Sequence, residues 1–553
     1  MHNLENKVCQ SCKKDFVIEP DDFIFYEKNK LPVPVWCPEC RQRDRILIRN
    51  FKTLYKRNSD KSGKSIISMY SAKAPFPVWS HEEWWSDDWD AKTYGRDVDF
   101  SKPIFSQIKS LWDAVPRYAV INTRSENCIY SNGVLNAKNC YFVFGCVDAE
   151  ECAYGHIVWN SKDCVDGLYV FKSEFCYECV DVLGSYNVLY SQECEDCNNC
   201  IGLFDCKGCS NCIGCVGLRQ KSNYIFNKPV EKIEIDEFLK EHPLHDLKKI
   251  SMILEKQEEL RKKIPQRFFF GSHNTNVSGN HIYNAKNVHY AFDVKSGEDS
   301  KYIFTCRQAI DSYDISFTAD IELGYQNAHC VGRNIMGSHV CVNCTDTYYS
   351  DNCTNCHNIF GCEGLKSAEY CILNRQCTKE EYEKMLPKLI DHMRQTGEWG
   401  WYYPKQMLPF AYNESIVNEY FPMTKEEALI SGYRWEDDIP RTKGQTTIKY
   451  EELPKNPELF SNDLVNHVLE CGKCKSNYRL TTQEIMFYKR FKVAIPGECF
   501  NCRHERRMKS RNVRVLFPGN CAKCNAEFKT SYNSNQQKQY KIYCEQGYQQ
   551  EMV

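Results

Sequence analysis

The chain has 553 residues, with 71 Lys and Arg against 73 Asp and Glu, and it contains 34 cysteines. This length predicts roughly three to five domains. A net charge of −2 excludes a globally basic nucleic-acid coat, and no apolar run is long enough to predict a membrane span. Because the first residues lack the apolar core of a signal peptide, we predict a cytoplasmic protein whose cysteines are metal ligands and buried thiols.

Two Cys-x2-Cys pairs separated by 24 residues occur near the start of the chain and again, with identical spacing, near its end. The two sets are Cys9, Cys12, Cys37 and Cys40, and Cys471, Cys474, Cys499 and Cys502. A short turn aims both sulfurs of a pair at one ion, so two pairs provide the tetrahedral shell of Zn²⁺. We therefore predict a zinc ribbon or treble-clef module with one structural zinc site in residues 1–58 and another in 451–515.

A third knuckle set follows in residues 516–553, where Cys521, Cys524 and Cys544 are present but Gly547 stands at the position of the fourth ligand. The matching positions of the N-terminal half are Ser59, Ser62, Ser80 and Glu83. We infer a duplicated pair of modules, of which the copy within residues 59–120 has lost its metal. A zinc ion at the third set depends on water or an oxygen ligand to complete its shell.

Residues 121–230 repeat with a period of 12, and all 14 cysteines from Cys128 to Cys215 lie on a lattice of every third residue. This pattern predicts a β-solenoid with two short strands per 12-residue coil. Its interior accommodates thiol, methyl and hydroxymethyl groups but excludes larger rings. An asparagine ladder stands beside the cysteine column, at Asn127, Asn139, Asn187, Asn199, Asn211 and Asn223.

A second block of repeats covers residues 268–377, and its nine cysteines fit the lattice if one residue is deleted between Cys330 and Cys341. The connector 231–267 is predicted to be helical, and 378–450 combines a helix with a segment rich in Trp, Tyr and Pro. The acidic, Trp-rich tract from Trp79 to Asp90 is interpreted as a cap over an open solenoid end. The fold prediction is a mainly β multidomain protein: two solenoid blocks with helical connectors, flanked by zinc modules.

The spacing of the repeat cysteines is open to another interpretation, because runs such as Cys194-x2-Cys197-x2-Cys200 resemble iron–sulfur or zinc ligands. On the lattice these residues are successive inward positions that pack as small apolar groups. The sequence leaves open whether they are free thiols, disulfides or metal ligands.

Three longer motifs stand out: Trp36-Cys37-Pro38-Glu39-Cys40-Arg41, Trp84-Trp85-Ser86-Asp87-Asp88-Trp89-Asp90, and Thr396-Gly397-Glu398-Trp399-Gly400. With them the chain resembles a family of uncharacterised bacterial proteins that place zinc ribbons around cysteine-rich repeats. This resemblance implies zinc modules and no particular activity. The coil spacing is also similar to that of insect antifreeze β-solenoids, although the flanking threonines of an ice-binding face are missing here.

The chain is strongly basic just after the second knuckle of each four-cysteine set, with a net charge of +5 in residues 37–57 and again in 499–515. Basic stretches on zinc modules commonly contact phosphate backbones, and the residues expected to do so are Arg41, Arg43, Arg45, Arg503, Arg506 and Arg507. They could instead offset the thiolate charge. We expect a zinc-binding scaffold or adaptor that contacts RNA or DNA; a protein-only scaffold built on the solenoids is the alternative, and a metal-cluster or redox enzyme is the third interpretation. No catalytic motif predicts an enzyme.

Overall fold

The computed structural model describes the backbone of residues 3–318, 321–330 and 332–552, and the side chains of these residues except 317–335 and 552. The chain is rich in β-sheet, and two large sheets of 13 and 14 strands dominate the described part. Each large sheet coincides with one of the two repeat regions, here called block 1 (residues 121–230) and block 2 (residues 268–377).

Block 1 is a stack of 12-residue repeats in parallel register. His156 pairs with Leu168, and Leu168 pairs with Val180, so each step along the sheet advances the chain by one repeat. Three successive repeats have two four-residue strands each, as predicted. The strands are Asn122–Thr123, Val134–Leu135, Val147–Glu150, His156–Lys162, Leu168–Phe171, Glu174–Tyr177, Val180–Leu183, Tyr186–Leu189, Gln192–Glu195, Asn198–Ile201, Ser210–Ile213, Ser222–Ile225 and Lys228–Pro229.

Block 2 has the same parallel arrangement, with Ala285 paired to Gly297 and Gly297 paired to Ala309. The predicted deletion of one residue is confirmed, because Cys330 pairs with Cys341 at an offset of 11; the side chain of Cys330 lies outside the described part. The strands are Gly271–Ser272, Thr275–Tyr283, Ala285–Val294, Gly297–Lys301, Phe304–Cys306, Ala309–Ile310, Tyr313–Thr318, Ile321–Cys330, Gly332–Met336, His339–Cys341, Thr345–Tyr348, His357–Phe360, Glu369–Ile372 and Arg375–Gln376.

The every-third-residue lattice has a backbone cause that the sequence pattern alone did not reveal. In the repeat around Cys164, the residues Asp163, Asp166, Tyr169 and Lys172 have φ between +48° and +56°. A left-handed residue at every third position returns the following side chain to the interior, whereas a plain strand alternates with a period of two. Asn and Asp adopt this conformation more readily than other non-glycine residues, which explains the asparagine ladder beside the cysteine column.

The interior of block 1 is a narrow column of small side chains, in which Cys146, Val158, Cys164 and Val170 are fully buried. On the outside of the column the ladder amides bond from one repeat to the next at 2.8–3.2 Å, in the pairs Asn127 to Asn139, Asn187 to Asn199, and Asn211 to Asn223. Small interior groups and in-register amides therefore both stabilise the stack.

Short elements build the modules around the two blocks. The helices are Pro20–Lys28, Pro38–Ile46, His81–Trp85, Ile104–Trp112, Lys232–Glu241, Leu247–Lys263, Lys379–Gln395, Val417–Tyr420, Lys425–Ile430, Thr482–Phe491, Phe500–Ser510, Ser534–Gln539 and Glu545–Met552. The strands are Glu5–Val8, Asp15–Ile18, Tyr55–Asn58, Ser65–Ser68, Val78–Trp79, Arg117–Tyr118, Gln266–Arg267, Leu469–Glu470, Asn477–Tyr478, Phe517–Asn520, Glu527–Thr530 and Ile542–Tyr543. Among the described helices none has both the length and the apolar character of a membrane span.

The Trp-rich tract covers the last repeats of block 2. Lys366, in the closing turn of that block, donates to the carbonyl of Trp84, and its ammonium lies over the rings of Trp84, Trp85 and Trp89 at 4.6–5.3 Å. Aromatic ring faces attract cations, and here the bound cation is the ammonium of Lys366. The contacts agree with the interpretation of this tract as a cap.

Candidate metal centres and the arginine contacts beside them

The two four-cysteine sets are each brought together as predicted. One sulfur from each of Cys9, Cys12, Cys37 and Cys40 lies within 4.8 Å of the others, and the same holds for Cys471, Cys474, Cys499 and Cys502. The first pair of each set lies at a tight turn between two short strands. The second pair of each set lies at the start of a helix. Cys37 directly precedes the helix Pro38–Ile46, and Cys499 directly precedes the helix Phe500–Ser510.

The surroundings of these sulfurs act in both directions: burial raises the pKa of Cys12, Cys499 and Cys502, whereas hydrogen-bond donors lower that of other thiols in the sets. The amide of Cys37 donates to the sulfur of Cys9 at 3.2 Å, and the amide of Cys499 donates to that of Cys471 at the same distance. A helix N-terminus adds positive potential at the second pair. A hydrogen bond from Cys37 lowers the pKa of Cys40 to about 5. Four sulfurs converge with amide donors around them, so each set is able to hold a soft metal ion in a closed shell.

The third set has the same geometry with one ligand fewer. The sulfurs of Cys521, Cys524 and Cys544 lie within 4.8 Å of one another. Gly547 donates its amide to the sulfur of Cys544 at 3.3 Å, and a Cβ atom built on it would lie 3.2 Å from the sulfur of Cys521. Gly547 therefore occupies the place of the fourth ligand, and a metal ion here would keep one coordination position open.

Gly547→Cys is expected to convert this three-thiolate set into a four-thiolate site. We expect metal affinity at the set to rise on the order of tenfold or more, equivalent to about 1.4 kcal/mol, because a protein thiolate replaces an exchangeable ligand. Competition with a chromogenic chelator measures the change. Gly547→Ser is the control of similar size, and equal retention of metal by wild type and Gly547→Cys would contradict the assignment of this position.

The metal-free copy contains a hydrogen-bonded cage in place of the ion. The Glu83 carboxylate accepts hydrogen bonds from the hydroxyl of Ser59 and from the amide of Ser80, and the Ser80 hydroxyl accepts from the Glu83 amide. Although burial alone raises the pKa of Glu83, hydrogen bonds from Ser59, Ser62 and Ser80 lower it. Ser59, Ser62 and Ser80, which stand where the other modules have cysteines, thus all interact with the carboxylate of Glu83. These hydrogen bonds stabilise the module in the place where the other modules have clustered thiolates.

The structure corrects the prediction for the N-terminal arginines. The carboxylate of Asp314, in block 2, forms ion pairs with Nε of Arg41 at 2.9 Å and with Nη1 of Arg45 at 3.0 Å. The side chains of Arg41 and Arg45 are only 3% and 0% exposed, respectively. Arg43 is half-buried; it donates to the hydroxyl of Tyr433 at 2.8 Å and to the sulfur of Cys40 at 3.3 Å. Arg43 therefore offsets thiolate charge, while Arg41 and Arg45 join the module to block 2.

The C-terminal arginines repeat this arrangement on block 1. The Asp166 carboxylate forms ion pairs with Nε of Arg503 at 3.0 Å and with Nη2 of Arg507 at 2.8 Å. These two guanidinium groups are also buried. Arg506 is 56% exposed and pairs with Glu178 at 2.8 Å. Burial on its own raises the pKa of Asp166, but the two arginines more than offset this effect and lower it.

The predicted phosphate contacts are wrong for Arg41, Arg45, Arg503 and Arg507, because a phosphate backbone cannot reach a guanidinium that is buried against its own carboxylate. Sequence reasoning identified the basic stretches but missed their partners. Asp314 and Asp166 both lie at left-handed positions of a repeat, and nothing near them in sequence marks them as partners of arginines. Arg41 and Arg45 thus join the N-terminal module to block 2, and Arg503 and Arg507 join the C-terminal module to block 1, while Arg511 of the C-terminal module also pairs with Asp293 of block 2.

The repeat cysteines whose side chains are described lie inside the blocks, where nearly all of them are buried. Cys164 donates to the carbonyls of Lys162 and Ser173, and its neighbours on the lattice make the equivalent contacts. Burial raises the pKa of Cys146 to about 12, so this thiol stays protonated at neutral pH. Within the described side chains, no repeat cysteine belongs to a group that could hold a metal ion.

Cys164→Ala is expected to leave the metal content unchanged and to lower the free energy of unfolding by about 1 kcal/mol, because it removes a small buried group. Urea unfolding and metal analysis of the same preparation measure both quantities. Loss of a metal ion in this variant would contradict the packing role of the lattice.

Two further groups of titratable side chains could hold a metal ion and were not predicted from the sequence: His156, Glu419 and His504, and Asp181, Glu193 and His281. In the first group Nε2 of His504 donates a hydrogen bond to the Glu419 carboxylate at 2.9 Å, and Lys52 pairs with the same carboxylate at 2.9 Å. In the second, Arg511 binds Asp181 at 2.7 Å. The nearby cations already neutralise these carboxylates, so both groups are explained as buried ion-pair networks.

No family model matches the chain, and a search of curated proteins finds no match to it. The resemblance to zinc-ribbon repeat proteins therefore rests on the motifs of the sequence.

Proposed function

We propose that this protein is a zinc-dependent structural scaffold in which two β-solenoids are held together by the modules that flank them. The observation that carries this proposal is the pair of buried arginine contacts, Arg41 and Arg45 on Asp314, and Arg503 and Arg507 on Asp166. This function corresponds to the protein-only scaffold that the sequence left open.

Zinc is the metal that suits the four-cysteine sets best. A closed shell of four thiolates is typical of structural zinc, whereas catalytic zinc keeps one open position. The ion would fix the helix that starts at Cys37 or Cys499, and the same helix positions the arginines one turn later. Metal binding and the docking of each module are thereby coupled through one short helix.

The parallel stacks suit a scaffold because side chains of the repeats themselves fill the interior of each stack. Block 1 encloses fully buried thiols and valines, and its outer face is occupied along one side by the C-terminal module. Repeat architectures of this kind present extended surfaces to partners. Contact with RNA or DNA stays a prediction from charge alone, and four of the six arginines named for it are committed to internal ion pairs.

Metal removal tests the proposal. Purified protein is expected to contain two or three equivalents of zinc. A strong chelator should increase hydrogen exchange in the helix Phe500–Ser510 and in the repeat around Asp166, while the interior strands of block 1 stay protected. Chelator already saturated with zinc is the control. Unchanged exchange after complete metal removal would contradict the coupling, and iron in place of zinc would contradict the assignment of the metal.

A further inference from the structure

A cavity of about 400 Å³ lies between block 1 and block 2. Block 1 contributes Ile157, Trp159 and Phe171, and block 2 contributes Lys295 and its neighbours. Ligand-binding cavities in proteins have volumes of roughly 300–1,000 Å³ and combine apolar walls with a few polar groups. The size and the position of this cavity between two packed bodies match that description.

The walls are mostly aromatic. Trp159 and Phe171 contact each other edge to face at 5.4 Å, Tyr169 is buried beside them, and Phe270 closes the other side. Such faces bind the flat or apolar body of a small molecule and leave its polar group to be recognised by charge.

Every acidic side chain that lines the cavity already has a basic partner. Burial by itself lowers the pKa of His281, but the carboxylates of Glu193 and Asp181 raise it, so the imidazolium is favoured. The pairs are Asp181 with Arg511, Glu193 with His281, Glu195 with Lys207, Asp205 with Arg219, and Asp293 with Arg511 and Arg514. No carboxylate of the lining is left to attract a cationic ligand.

Lys295, like Lys172, is a cation of the lining without an ion pair among the described side chains. Its ammonium lies 3.3 Å from the ring centre of Phe171 and 5.1 Å from that of Trp159, and within the described side chains it makes no ion pair. Burial lowers the pKa of Lys295 to about 8, with smaller contributions from the positive charges of Lys172 and Arg307. Lys172, which also lines the cavity, and Arg307 therefore add positive charge near Lys295, and within the described side chains neither of them has an acidic partner.

We infer that the cavity binds a small organic anion whose aromatic or apolar body packs on Trp159 and Phe171 and whose acidic group pairs with Lys295. An anion at this position would supply the charge that Lys295 lacks, and the low-dielectric walls would strengthen that attraction. This assignment goes beyond the scaffold function and does not depend on the zinc sites.

Pyridoxal phosphate is a suitable probe because it is aromatic, anionic and carries an aldehyde. Once Nζ of Lys295 has lost its proton to solvent, it would attack the aldehyde carbon and water would leave, forming an imine that borohydride reduces to a stable secondary amine, while the positive charges of Lys172 and Arg307 still attract the phosphate. Labelling of the zinc-loaded, full-length protein, followed by peptide mass spectrometry, is expected to modify Lys295 at least about tenfold faster than an exposed lysine, because its amine is deprotonated more often near neutral pH.

Lys286 is the matched internal control, since it lies on the strand Ala285–Val294 that ends just before Lys295 but is exposed and paired with Glu298. Lys295→Met should abolish the saturable labelling, and Lys286→Met should leave it unchanged. Lys295→Arg keeps the charge but forms no imine, and it should still bind pyridoxal phosphate reversibly in an equilibrium titration. Labelling spread over surface lysines in wild type, or saturable binding that Lys295→Met retains, would overturn the inference.

Discussion

Asp166→Asn is expected to lower the free energy of unfolding by about 3–5 kcal/mol, because it leaves the buried guanidinium of Arg503 without a carboxylate partner and leaves Arg507 with Glu178 alone. Asparagine has nearly the same size as aspartate and tolerates the φ of +56° at this position, so the change in charge is isolated from backbone strain. The midpoint of urea unfolding, followed by tryptophan fluorescence, measures the effect.

Asp163→Asn is the matched control for this prediction. Asp163 lies three residues earlier in the same repeat, has a φ of +50°, and meets the exposed Arg490 only at 3.7 Å. Its replacement should change stability by no more than about 1 kcal/mol. Equal effects of the two substitutions would contradict the docking role of Asp166.

The pH dependence of stability gives a second measurement on the same pair of variants. Because the pKa of Asp166 is lowered in the folded protein, its stabilising contribution is present above the unfolded pKa and is lost as pH falls through the folded pKa. Asp166→Asn should therefore lose less stability than wild type on acidification. Asp163→Asn should not have this effect, since burial raises the pKa of Asp163.

The repeat architecture could be predicted because its cause is local. Each 12-residue segment contains its own inward thiols, its left-handed positions and its ladder amide, so the period appears directly in the sequence. The deletion before Cys341 was predicted for the same reason, since the cysteine lattice shifts by one residue there. The four-cysteine sets were equally accessible, because a metal shell requires a fixed spacing of ligands.

The partners of the arginines could not be predicted, because about half of the chain or more separates each arginine from its aspartate. Arg45 and Asp314 are 269 residues apart, and Arg503 and Asp166 are 337 residues apart. A basic stretch has the same appearance in sequence whether it faces solvent or a buried carboxylate, and only packing decides between them. The cavity around Lys295 was missed for a similar reason, since its walls come from two blocks that the sequence does not place relative to each other.

Cys499→Ser is expected to remove one metal equivalent and to release the C-terminal module from block 1. Structural zinc contributes on the order of 10 kcal/mol or more of apparent folding free energy to its module, and a hydroxyl is a poor replacement for a thiolate ligand. Once the helix Phe500–Ser510 loses its fixed start, Arg503 and Arg507 no longer reach Asp166 together. We expect metal analysis to lose one zinc, and limited proteolysis to cut between residues 471 and 515.

Two variants make this prediction specific. Cys37→Ser should likewise lose one zinc, but it should expose the N-terminal module and the Asp314 face of block 2 and leave residues 471–515 resistant. Cys128→Ser changes a half-buried repeat thiol outside the metal sites, and it should alter neither metal content nor proteolysis. Because Arg41 and Arg45 pair with Asp314 whereas Arg503 and Arg507 pair with Asp166, the two ligand variants are expected to give different cleavage patterns. A full zinc complement with an unchanged pattern in Cys499→Ser would show that this cysteine set does not hold the module in place.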